Sequence, residues 1–197
     1  FQCCLGATFA AMVSNVLSTL LLANPDWADS WLCWGVTEIY FLATPLMGLA
    51  YYCYTAATVF EEHAGGRLAC ILGILPGILY AVLVLINPLT GVLFSIQAGV
   101  YLRGPLIITT YLIFYFYCLI SVVLVRVYRS WLEPQIYKIL FVFPLIAASV
   151  IVVQQLFPAV ILSGSAATTA ILLIYLYLQN KQSLLDPLTG LGNRVEF

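Results

Sequence analysis

Long apolar runs broken by short polar words set the plan of this chain. The runs cover residues 1–23, 31–60, 68–86, 105–128, 136–157 and 159–185. Four of the breaks read NPDWADS (24–30), EEHAGGR (61–67), NPLTG (87–91) and RSWLEPQ (129–135). A hydrocarbon core about 30 Å thick takes roughly 20 apolar residues as helix, so each run is long enough to cross one. The runs lack the strict alternation of barrel strands, and a helix pairs its own backbone groups in lipid. The pattern predicts an all-α fold, a polytopic transmembrane helix bundle with six spans. Pro45 predicts a kink or tilt in the long second span. The stretch GVLFSIQAGVYLRG (91–104) is too short to span and is expected as a short helix or loop over the outer face. The last run continues past the membrane to Leu185 without a breaker. Along it, Ile174, Leu178, Lys181 and Leu185 fall at alternating steps of four and three, the coiled-coil spacing. The organisation expected is a sensor-type bundle over 1–170, a stalk helix over 171–185 and a separate element over 186–197.

Composition sharpens this. The chain is 63% hydrophobic and 8% charged, where soluble domains carry roughly 25% charged residues. So few charges cannot cover a water-facing surface. The net charge of −1 offers no bulk basicity for nucleic acid. Orientation follows from Lys and Arg. With the C-terminus in the cytoplasm, Arg67, Arg126, Arg129, Lys138, Lys181 and Arg194 fall inside and only Arg103 outside. Trp27, Trp31 and Trp34 then lie at the outer end of the second span and Trp131 at the inner end of the fourth, as an aromatic belt would. Phe1 opens inside an apolar run on the inner side, and a preceding span would make seven helices.

Few residues offer chemistry. The cysteines (Cys3, Cys4, Cys33, Cys53, Cys70, Cys118) show no CxxC spacing and read as small buried apolar residues. Cys33, near a helix end, is where a disulfide or metal reading is kept open. His63, in a charged loop, reads as solvated. Glu38 is the one acid well inside a span, about two turns below the outer rim. It either contacts a ligand entering from outside or is a hydrogen-bonded structural acid near the interface. Thr37, Phe41, Thr44, Gly48, Tyr52 and Thr55 recur at helical spacing on the second span, and Thr8, Met12, Asn15 and Thr19 on the first. These faces suit helix packing or a pocket lining. Gln154 and Gln155 near the outer end of the fifth span point into an outer pocket or reach the interface. The candidate ligand contacts are Glu38, Thr37, Thr44, Asn15 and Gln154. No phosphate loop, nucleophile–base pair or metal constellation appears, so no catalytic residue and no metal ligand is expected.

Two segments carry resemblances. Asn87-Pro88, Phe94, Tyr101 and Gly104-Pro105 form a skeleton that resembles the outer hairpin of seven-helix sensor regions on bacterial histidine kinases and diguanylate cyclases. It names no ligand. The closing word DPLTGLGNRVEF (186–197) resembles the opening signature of GGDEF domains. Asp186, Leu188, Thr189, Gly190, Leu191, Asn193, Arg194 and Phe197 match it at fixed spacing. Asp186 suits an N-cap, Pro187 suits the first helical position, and Gly190 and Gly192 permit a tight reversal. Arg194 can pair back to Asp186, which makes this a joint rather than a site. The resemblance implies a bacterial inner-membrane diguanylate cyclase that joins two GTP into cyclic di-GMP with Mg²⁺, acts as a homodimer, and carries its GTP and metal residues beyond Phe197. A receptor with an inactive GGDEF-like output domain, and a transporter or channel, are the other readings. Glu38 and Pro76-Gly77 are the only support for the last.

Overall fold

The structure is a computed structural model that describes residues 2–61, 63 and 65–156. Five long helices follow the apolar runs: α1 (Gln2–Ala23), α3 (Trp31–Val59), α4 (Gly66–Leu85), α6 (Ile108–Val127) and α7 (Pro134–Leu156). All five are long and apolar enough to cross a membrane. Their large exposed side chains are almost all aliphatic, among them Leu72, Leu79, Leu85, Leu112 and Val127. That surface suits lipid and not water. Two one-turn helices, α2 (Pro25–Ala28) and α5 (Asn87–Thr90), lie in the connections at one end. The expected sixth span, the stalk helix and the joint at 186–197 lie outside the described residues. The chain divides into units 1–149 and 150–197, and the packing below concerns the first.

One expectation is corrected. Residues 94–103 form neither a helix nor a loop but an antiparallel hairpin of β1 (Phe94–Gln97) and β2 (Val100–Arg103), with Phe94 opposite Arg103 and Gln97 opposite Val100. The cause is local. Phe94, Ile96, Val100 and Tyr101 favour strand, and Ala98-Gly99 makes a two-residue turn with φ of 50° and 74°. Positive φ at both positions is the turn whose twist matches paired strands.

α3 is the hub, packing against α1, α4 and α6. Its buried face holds Thr37, Phe41, Gly48, Tyr52 and Thr55, as its spacing indicates, while Thr44 is only half-buried. On α1 the buried stripe is Ala7, Ala11, Ser14 and Ser18 with Thr8, and Thr19 is exposed. That face is rotated from the more polar one because small residues bring α1 closest to α3. On α6, Phe114 and Tyr117 are buried while Phe116 faces outward.

Tyrosine hydroxyls tie the helices together. Tyr117 of α6 donates to Gly73 O at 2.8 Å and Tyr52 of α3 donates to Ala69 O at 3.1 Å, both on α4. Tyr80 of α4 and Thr110 of α6 share a bond at 2.8 Å. Gly73 makes room for this, since a Cβ there would stand 2.1 Å from the Tyr52 ring. Tyr51 of α3 donates to Leu140 O of α7 at 3.0 Å and stacks on Phe143 at 4.4 Å. The regular helical donor for Leu140 O would be the N–H four residues on, but that residue is the buried Pro144, which has none. The tyrosine therefore supplies the bond that the proline removes.

At the end away from the hairpin, His63 is exposed, as a loop residue should be, yet stacks on Trp131 with ring centres 3.9 Å apart. Trp131 also meets Tyr128 at 4.5 Å, and Arg129 lies over the Tyr137 ring at 5.1 Å.

The Tyr51–Leu140 pairing makes a specific prediction. Tyr51→Phe should destabilise the bundle by about 1–2 kcal/mol, the cost of one unpaired buried carbonyl. In a Pro144→Ala background, where the helix supplies its own donor, the same change should cost less than about 0.5 kcal/mol. Reversible unfolding of the four proteins in mixed micelles measures the cycle. Equal costs in both backgrounds would refute the pairing.

Candidate functional site

The hairpin end is where the spans are covered by built structure. Asn87 makes this possible. Its side chain is fully buried, and its Oδ1 accepts from Leu93 N at 2.8 Å and Phe94 N at 3.3 Å. Its Nδ2 donates to Phe94 O at 3.1 Å. One amide thus satisfies three main-chain groups that enter the hairpin away from water. Gly104 closes the other side. A Cβ there would stand 2.2 Å from Val92 O, so only glycine lets the two chains pass. The Asp29 carboxylate accepts the Gly99 N–H and fastens the hairpin turn to the α2–α3 connection.

These anchors drive Phe94 into the helix end. It is fully buried and sits among Phe41 at 4.9 Å, Trp34 at 5.1 Å and Tyr101 at 5.9 Å. Tyr80, Val84 and Leu93 complete the cluster. On the hairpin, burial first, and then Tyr40 and Tyr111 nearby, hold the Tyr101 phenol above the usual tyrosine range, with Arg103 pulling weakly the other way. The phenol is neutral at any physiological pH.

The candidate ligand residues separate here. Thr37 is buried, donates to Cys33 O at 2.7 Å and meets Ser18 Oγ of α1 at 2.7 Å. A threonine has one hydroxyl proton, so Ser18 is the donor to it, and Thr37 is occupied in the α1–α3 contact. Thr44 donates to Tyr40 O of its own helix at 2.9 Å. Asn15 is half-buried on α1. Gln154 belongs to α7, but its side chain lies outside the description, and Gln155 is exposed. Cys33 and Cys118 are buried, Cys53 and Cys70 are half-buried, and none of these four is in a disulfide. Among the described residues, no three His, Cys, Asp or Glu side chains cluster as a metal site.

Glu38 differs from all of these. Its Oε1 is buried and has no hydrogen-bond partner among the described residues. Trp34 and Leu42, one turn to either side on α3, pack against the Phe94 cluster, so Glu38 shares the helix face that carries it. A buried acceptor with nothing to accept is costly. It attracts a proton, an ammonium or guanidinium, or a hydroxyl donor. Tyr115 Oη and Ser121 Oγ of α6 are the other buried, unpartnered polar atoms described, and neither can carry charge so readily. Sequence reasoning located Glu38 but took Asn87 only as a helix end. The Asn-Pro word, followed by a strand pattern and a glycine before proline, was the available signal.

The chain shows no significant match to any protein-family profile, curated protein or solved structure. Its chemistry has to be read from its own residues.

Replacing Asn87 with Ala should leave the Leu93 and Phe94 amides without an acceptor. Their hydrogen exchange should speed up about thirtyfold or more, equivalent to about 2 kcal/mol, while the amides of central α3 stay protected. Uniform acceleration throughout would mean that Asn87 supports the whole bundle and not the hairpin alone.

Proposed function

We propose that this chain is the membrane sensor region of a bacterial diguanylate cyclase. In this reading it controls the synthesis of cyclic di-GMP from two GTP in a cytoplasmic GGDEF domain. The observation that carries the proposal is the word at 186–197, which matches the opening of that domain at Asp186, Leu188, Thr189, Gly190, Leu191, Asn193, Arg194 and Phe197. Five helices apolar enough to cross a bilayer agree with a membrane input stage. The basic residues agree with an inside C-terminus. Arg67 opens α4, Arg126 lies in the last turn of α6 with Arg129 just after it, and Lys138 lies in the first turns of α7, all at one end, while Arg103 sits on the hairpin at the other.

In this reading the hairpin end faces outward and covers the sensing site. Glu38 is the acceptor that meets a ligand or a proton there. Binding exchanges a costly unpaired carboxyl for a paired one, and that difference is the free energy available to shift the packing of α3. The last span passes the shift to the joint and so to the register of two cyclase domains in a homodimer. GTP and Mg²⁺ belong to residues after Phe197.

The test uses the full-length protein in cells. Glu38→Gln keeps the size and removes the charge, and should change cyclic di-GMP by about fivefold or more, the lower range of a typical coupling energy. Unchanged output under every stimulus tried would remove Glu38 from signalling. A purified full-length protein that does not convert GTP to cyclic di-GMP would instead sink the cyclase reading itself.

A further inference from the structure

The cysteines of α3 and α4 form a pair that the sensing reading does not use. Cys53 and Cys70 meet where α3 packs on α4. The Cys70 thiol donates to Cys53 O at 3.8 Å. Both side chains are half-buried and neither is bonded. The surrounding contacts fix their register. Tyr52, next to Cys53, donates to Ala69 O, next to Cys70. Gly73, one turn beyond Cys70, lets the α3 side chains approach the α4 backbone.

We propose that Cys53 and Cys70 form a reversible dithiol–disulfide site whose oxidant is a lipid-soluble quinone. A disulfide needs Cβ atoms about 4 Å apart. The packing of α3 on α4 already brings the Cys70 Sγ to the Cys53 main chain. Location selects the oxidant. Cys53 lies six residues from the end of α3 and Cys70 four residues from the start of α4, or about 9 and 6 Å along helices rising 1.5 Å per residue. Both are therefore inside the spans and partly open on the helix surface, where neutral molecules dissolved in the bilayer arrive and hydrated ions do not. Both S–H bonds break and one S–S bond forms. The two electrons and two protons pass to the quinone, which leaves as quinol. Every species is neutral, so no charge is left in hydrocarbon. The bond would lock α3 to α4 at the end away from the hairpin.

The test takes the full chain in lipid nanodiscs with a fully ring-substituted benzoquinone bearing a decyl tail, which has no free ring position for thiol addition. Intact mass and peptide mapping follow the product. The expected result is loss of two hydrogens, with the Cys53 and Cys70 peptides joined within one chain and separated again by dithiothreitol. Cys53→Ser and Cys70→Ser should each abolish the product. Cys4→Ser should retain it. Two thiols still free after quinone treatment, a quinone adduct, a bond to Cys4, or a bond between chains would each overturn the proposal.

Discussion

In hydrocarbon a main-chain carbonyl has no water to turn to, and that constraint organises this bundle. Prolines stand inside three of its long helices, at Pro45, Pro76 and Pro144, and each removes a helical donor. Tyr51 answers one of these at Leu140 O, and polar side chains elsewhere in the spans are also spent on the backbone. Tyr51, Tyr52 and Tyr117 reach across to carbonyls of neighbouring helices. Thr8, Ser14, Thr37, Thr44, Thr55 and Thr58 fold back on carbonyls of their own. A hydroxyl used in this way lowers the cost of its own burial and that of the carbonyl together. This is why so many hydroxyl groups fit inside helices that otherwise read as pure hydrocarbon.

The same constraint makes α3 the centre. It meets α1 through Ser18 and Thr37, α4 through Tyr52, α6 through Gly48 under Tyr117, and α7 through Tyr51. It meets the hairpin through Phe41 and Trp34. No other described helix joins so many partners by directed contacts. Directed contacts have preferred positions, so they fix the register of α3 against each neighbour.

Much of this was legible in the sequence. Length and breaks placed five helices to within three residues at each end, because runs of about 20 apolar residues bounded by Pro, Gly and charge leave little freedom. The face of α3 was legible because Thr37, Phe41, Gly48, Tyr52 and Thr55 alternate with bulky apolar residues. The hairpin was not. Its strands have four residues each, and its stability comes from Asn87 and Phe94, contacts that no periodicity expresses. The α1 face was misjudged by a fraction of a turn because alanines, silent in a search for polarity, decide how close two helices come. Glu38 was visible as an isolated acid. That its Oε1 has no partner among the described residues was not, since Thr37 next to it is fully engaged and only the fold distinguishes the two.

That contrast bears on what the hairpin end is for. Asn87 bonds three main-chain groups, Gly104 lies against Val92, and Asp29 fastens the turn, so the cover is held at three points. On the α3 face that carries the Phe94 cluster, the Glu38 Oε1 is buried with no donor among the described residues. A fold that needed only stability would bond that oxygen or replace the acid by an apolar residue, because the unpaired group costs more than either. A rigid surround also lowers what a partner must give up on binding, since the acceptor is already fixed in place. On the proposed sensing reading, a held surround with one unsatisfied charge-bearing group would hand binding free energy to a helix instead of losing it in ordering the site. The helix that would receive it is α3, the one with the most partners to pass it on.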